Sequence, residues 1–317
     1  MFGKEKEKTK EDIEKSVLEK VALQSIIEQR KRRRWGIFFK FAFLAYFILL
    51  LMLAIKPFSN VDDKISPHIA LVKVDGIIAS DTTASAKLIN KGLNKAFGDK
   101  EAKAVVIEIN SPGGSPVQSD DIYQQIRYLQ QKYPDTKVFA LCEDLCASGG
   151  YYIASAADTV YANKMSIVGS IGVRAGGFGF VEVMKKIGVT RRLYTSGKDK
   201  GFLDPFEPQN ESQVKDLEVM LTQTHEVFID AVKEGRGNKI DLTQSNKIFS
   251  GLPFSGIEAK HLGLIDDFQS MDQLKRELGA DSMIDYTQKE DILERISSKI
   301  GLGVLYEAYN AMQFRLQ

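Results

Sequence analysis

The chain has 317 residues, 44% of them hydrophobic and 27% charged, with a formal net charge of +1. That length suits one large domain with appendages. Residues 1–34 carry 11 Lys/Arg against 7 Asp/Glu, while the chain beyond residue 56 is mildly acidic, which argues against a nucleic-acid binder and its basic face.

In chain order, the tail 1–34 mixes Lys and Glu with Ile13, Val17, Leu18, Val21 and Leu23 at roughly helical spacing. It reads as a solvated or membrane-surface helix. The run "WGIFFKFAFLAYFILLLMLAI", Trp35–Ile55, contains Lys40 as its only charge. At ~1.5 Å per residue it matches a bilayer core of roughly 30 Å, with Lys40 near enough to the basic end to snorkel. A cleaved signal peptide would have a shorter apolar region followed by a small-x-small site. Met52 two residues before Ala54 matches that poorly, so the segment 35–56 reads as an uncleaved signal anchor. The cluster Lys31–Arg34 before the run, against Lys56 after it, places the tail in the cytoplasm and the body outside.

Residues 57–67 form a polar linker. The body 68–290 then alternates: strand "HIALVKVDGII", helix Ser85–Phe97, strand "AKAVVIEIN", helix "VQSDDIYQQIRYLQQKY", strand "KVFALCE", helix Ser148–Ala157 and strand "TVYANK". This pattern predicts an α/β domain with a largely parallel sheet. Further on come a glycine-dense stretch, a helix "VEVMKKIG", a strand "TRRLYTSG" (190–197), a long helix over 210–235 and a short helix "GIEAKHLG". The segment 291–317 reads as a terminal amphipathic helix that packs on its own domain or on another subunit. Cys142 and Cys146 are the only cysteines. They are either two small buried hydrophobes or, outside the cytoplasm, a pair.

In open parallel sheets sites gather at the carboxyl ends of strands. Two turns fall there. "NSPGGSP" places Gly113 and Gly114 where backbone N–H groups can cradle an oxyanion or a phosphate, or simply turn the chain. "DLCASGG" places Ser148 on a strand-to-helix turn, as a nucleophile beside the Gly149 N–H or as an N-cap. A serine nucleophile needs a base. His68, His225 and His261 are poorly placed for it. A lysine serves only if uncharged, and lowering an ordinary lysine by about 3 units costs roughly 4 kcal/mol that the fold must supply.

Five pieces in order carry a resemblance: "INSPGGS" (Ile109–Ser115), "ASGGYYIASAAD" (Ala147–Asp158), "ANKMSIVGSIGV" (Ala162–Val173), "SGKDKGFLDPF" (Ser196–Phe206) and "IFSGLPFSGIEAKHLGLID" (Ile248–Asp266). The body resembles the signal peptide peptidase A family, serine–lysine membrane peptidases. The resemblance implies a ClpP/crotonase-like fold of repeated β-β-α/β-α units, behind one transmembrane helix. It implies Ser148 as nucleophile, Lys200 as general base, Ser170 as a serine supporting that lysine, and Gly113, Gly114 and Gly149 as the oxyanion region. Where the family often has Lys-Asp-Ile then Ser-Pro, this chain has Lys200-Gly201-Phe202 and Asp204-Pro205, which leaves Lys198 as a neighbouring alternative. Neither metal nor other cofactor is implied. The expected partners are signal-peptide remnants or other apolar peptides, the bacterial inner membrane, and further copies of the chain. The rival readings are an inactive membrane scaffold on the same fold and a crotonase-type acyl-CoA enzyme.

Overall fold

The computed structural model describes residues 10–55, 67–280 and 282–289. The expected linker up to residue 66 and the expected terminal helix 291–317 lie outside the described residues. The chain divides into two compact units, Met1–Val61 and Asp62–Gln317.

The first unit contains α1, Lys10–Ile55, one helix of 46 residues. At ~1.5 Å per residue it is roughly 69 Å long. Residues 10–34 and the apolar run that follows thus belong to one continuous helix. Among the described residues, no helix is long and apolar enough to cross a membrane. The described side chains of α1 end at Leu50, so those of 51–55 fall outside that statement.

The second unit is built on β1 (His68–Asp75), α2 (Ala86–Gly98), β2 (Ala102–Ser111), α3 (Pro116–Lys132), β3 (Lys137–Ala147), α4 (Gly149–Ala154) and β4 (Thr159–Ala162). It continues with β5 (Ile167–Gly169), α5 (Val181–Ile187), α6 (Glu211–Arg236), α7 (Ser245–Ile248), β6 (Pro253–Ser255), α8 (Gly256–His261), β7 (Asp267–Phe268), α9 (Met271–Glu277) and β8 (Ser282–Asp285). Together the strands make one eight-stranded sheet, in the order β6-β5-β3-β2-β1-β8, with β4 beside β3 and β7 beside β4. Every pairing is parallel except β5 with β6. The α/β fold and its mostly parallel sheet are therefore as expected.

Both sheet faces are covered, which is why the strands read as nearly continuous apolar runs. Ala70, Val72, Val74, Val105, Ile107 and Ile109 point into the main core. Ile69, Leu71, Val106 and Leu141 point the other way, against Leu274 of α9 and Ala280. Helix α2 buries Leu88, Ile89, Gly92, Leu93, Ala96 and Phe97, spaced three or four apart along one stripe. Helix α3 starts sharply because Ser115 caps it, its side chain accepting from the Gln118 N–H, and Pro116 occupies a first-turn position.

No strand forms over 190–197; that stretch is irregular and largely exposed. Its β-favouring side chains have no neighbouring strand, and strand propensity is realised only against one. Cys142 and Cys146 are joined as a disulfide with their Cα atoms 5.3 Å apart. Four extended residues would span roughly 13 Å, so β3 bulges between them. On one side of the bulge β3 pairs with β4, and on the other with β5.

One polar cluster ties α6 to the sheet. Arg236 is fully buried, donating to an Asp266 carboxylate oxygen at 2.8 Å and to the Gly263 carbonyl at 3.0 Å. Asp266 also accepts from the Val160 N–H at 2.7 Å and pairs with Lys239 at 2.8 Å. Burial alone raises the Asp266 carboxyl, but the bonds from Arg236, Lys239 and Val160 outweigh it and hold the group below the usual range. Its contribution to stability is complete above an ordinary aspartate value of ~3.9 and is lost as pH falls through the lowered one. Asp266→Ala is expected to cost about 3–5 kcal/mol in urea unfolding at neutral pH, because a buried guanidinium loses its counter-charge. The penalty should shrink on acidification as the wild type loses the same charge.

Candidate active site

Two parallel strands, β2 and β3, end side by side and open into the two turns singled out above. The first turn, Pro112–Ser115, leads from β2 into α3. The second, at Ser148, leads from β3 into α4. Strand β5 ends at the same level, since Ala147 is paired with Gly169 and the Ser148 N–H donates to the Gly169 carbonyl at 2.8 Å. Ser148 and Ser170 are therefore the next residues on two adjacent strands. Ser148 has φ 51° and ψ −121°, and Ser170 has φ 54°. A positive φ is costly for any residue with a Cβ and, where it persists, is held by its surroundings.

Ser148 does not cap the helix that follows it. Its side chain makes no capping bond to α4, and its backbone is not that of an N-cap. The half-buried hydroxyl stands over the helix start, with no hydrogen bond among the described residues. The small residues after it have their own purpose. A Cβ on Gly149 would stand 2.3 Å from the Ser119 hydroxyl, and one on Gly150 would stand 3.0 Å from the Ser111 carbonyl. The run after the serine is glycine because α4 starts in direct contact with α3 and the end of β2.

The Gly113–Gly114 turn presses on Ser148. Gly113 has φ 90°, and a Cβ there would lie 2.6 Å from the Gly149 nitrogen and 2.7 Å from Ser148 Cβ. Gly113, one of the expected oxyanion residues, has its N–H engaged within the turn. Its N–H already donates to Ser111 Oγ at 3.1 Å. The Gly114 and Gly149 N–H groups have no partner among the described residues. They are neighbours, since a Cβ on Gly149 would be 3.3 Å from the Gly114 nitrogen.

Ser170 is held by the 251–252 segment. Its N–H donates to the Leu252 carbonyl at 3.0 Å and its hydroxyl to the Gly251 carbonyl at 3.3 Å. His225 of α6 reaches the next residue, with Nε2 3.1 Å from the Ile171 carbonyl. That bond needs a proton on Nε2, because a carbonyl only accepts. This contact joins residues 54 apart, too far for any local pattern to signal it.

Lys200 is exposed. Residues 174–210 form an arm that is almost entirely exposed, and no hydrogen bond or ion pair joins Lys200 or Lys198 to Ser148 among the described residues. The arm has its own frame. Arg191 pairs with Asp204 at 3.0 Å, Phe180 stacks on Phe206 at 5.3 Å, and the Phe180 N–H donates to the Pro205 carbonyl at 2.7 Å. Lys200 sits on a turn inside that frame, its N–H donating to the Gly197 carbonyl at 3.2 Å.

The model of peptidase family S49 matches residues 130–285, a span that includes Ser148, Ser170 and Lys200. A putative protease of Synechocystis is 32% identical over 62% of this chain and 68% of its own length. The chain belongs to peptidase family S49. A putative signal peptide peptidase of Enterococcus faecium is 28% identical over 74% of this chain and 70% of its own. A Brucella abortus protein named as a Na(+)/H(+) antiporter is 44% identical over 69% of this chain, but the match spans only 30% of that longer protein. The S49 chain thus covers about three-tenths of that relative, and the relative's name speaks for a protein most of which has no counterpart here.

Proposed function

We propose that this S49 protein is a membrane-anchored serine endopeptidase with Ser148 as nucleophile and Lys200 as general base, acting on signal-peptide remnants or other apolar peptides. The observation that carries the reading is the conformation of Ser148, a residue with a Cβ in a glycine-type backbone region and free of any capping bond. A packing turn has no need of that strain, and glycine would fill it better. A crotonase-type site would use the Gly114 and Gly149 donors but gives no reason for a serine there.

In the proposed reaction, uncharged Lys200 takes the Ser148 proton as Oγ attacks the scissile carbonyl. The Gly114 and Gly149 N–H groups hold the oxyanion. The lysinium returns its proton to the leaving amine; neutral Lys200 then takes a proton from water, which attacks the acyl-enzyme, and passes it to Ser148 Oγ as the ester bond breaks. Ser170 supports the lysine. An exposed ammonium cannot serve as base, so the reading requires the arm to be covered. Phe178 and Tyr194 on it are 82% and 88% exposed, apolar side chains that such a cover would bury. Further copies of the chain are the expected cover, and the fold is read as ClpP-like on the same grounds.

The anchor reading rests on the sequence of Trp35–Ile55, supported by a helix whose Phe38, Phe39, Phe41 and Phe43 point outward all round it. The disulfide supports an oxidising, extracytoplasmic compartment for the body, with the tail in the cytoplasm. A fluorophosphonate probe on the full-length protein, followed by peptide mapping, tests the proposal. The expected result is a single adduct on Ser148. Labelling elsewhere, or none in a preparation that cleaves peptides, would refute it.

A further inference from the structure

We infer that Ser111 is a positioning residue of this site, whose hydroxyl sets the oxyanion turn. The inference rests on the peptidase reading above. Ser111 ends β2 and is completely buried. Its Oγ lies 2.6 Å from the Gly76 carbonyl and 3.1 Å from the Gly113 nitrogen. A hydroxyl has one proton to give. A carbonyl only accepts, so that proton goes to Gly76, and a lone pair of Oγ must receive the Gly113 N–H. The direction of both bonds is thereby fixed.

The consequence falls on the next peptide. With the Gly113 N–H turned towards Ser111 and the Gly113 carbonyl held by the Ile78 N–H at 3.0 Å, that residue has no rotational freedom left. The Ser115 N–H, bonded to the Ile78 carbonyl at 2.8 Å, fixes the far side. Only the Gly114 N–H is left open, beside Gly149. Ser111 also meets the other half of the site. It is paired across the sheet with Cys146, two residues before Ser148, and its carbonyl faces Gly150 at the start of α4. One buried hydroxyl thus sets the distance between the Gly114 donor and the nucleophile without touching substrate.

The test measures hydrolysis of an apolar fluorogenic peptide by full-length Ser111→Ala, together with inhibition by a peptide boronate, whose tetrahedral adduct on Ser148 needs the oxyanion donors. Loss of the hydroxyl should lower kcat about 10²-fold with KM unchanged, the scale of a small misplacement of a reacting group. Boronate affinity should fall by a similar factor, and Ser111→Thr, which keeps a hydroxyl, should recover kcat. A merely structural role would lower thermal stability without separating kcat from KM. Wild-type kcat in folded Ser111→Ala, or a rise in KM that accounts for the whole loss, overturns the inference. If the alanine variant does not fold, Ser111→Cys serves instead. Its thiol is a weak donor of similar size, so kcat should drop about tenfold, and wild-type kcat there overturns the inference equally. A wild-type protein that neither cleaves nor labels removes the peptidase reading itself, and this inference with it.

Discussion

Ser148→Ala is expected to lower kcat for an apolar peptide by about 10⁶-fold, the scale seen when a serine nucleophile is removed from a site whose oxyanion donors remain. The residual rate should be that of water attack assisted by the Gly114 and Gly149 N–H groups. Folding should be untouched, since alanine carries the same Cβ through the same φ of 51°. A companion variant makes the result specific. Ser148→Gly removes the hydroxyl and the steric cost of the left-handed backbone together, so it should be as inactive as the alanine variant yet more stable by about 1 kcal/mol. Urea unfolding of the three proteins checks this. A serine placed only for packing would leave activity intact in both variants, while the gain from glycine, which follows from φ alone, would be the same.

That pairing of strain with function also explains what could be read from the amino-acid sequence. The alternation from His68 to Ala162 was legible because each strand is buried on both faces and each of α2 and α3 has one apolar stripe. The two turns were legible because Pro112, the glycine pairs and Ser148 sit where parallel strands end. The strands β5 to β8 were not, as each has four residues or fewer and draws its order from a distant neighbour, as when Gly169 meets Pro253. The same range of contact hid Ser111. Its type is unremarkable in a turn, and its partners Gly76 and Gly113 become a pair only when β1 and β2 lie together. The strand read over 190–197 failed for the converse reason: a favourable local composition had no sheet to join. The cysteine pair stayed open because a spacing of four says nothing about a bulge in β3.

The base is where sequence and single-chain structure pull apart, and that gives the second large effect. Lys200→Ala should lower kcat by about 10⁴-fold, the upper range for losing a general base, and should slow fluorophosphonate labelling of Ser148 in step. Lys198→Ala, two residues away on the same turn, should leave both rates near wild type. The contrast is informative because Arg191, Asp204, Phe180 and Phe206 frame the turn without either lysine, so neither change disturbs the arm. The lysine lies on an arm that is solvent-exposed in the single chain. Burial is what makes it a base. Activity per chain should therefore rise with protein concentration and then level off, and Tyr194→Asp, which puts a charge on the most exposed apolar side chain of the arm, should move that rise to higher concentration. Full activity in a dilute monomer, or equal losses from Lys198→Ala and Lys200→Ala, would mean that the proton on Ser148 leaves by another route, and Ser170 on the adjacent strand end and the imidazole of His225, bonded to Ile171, are then the groups to vary.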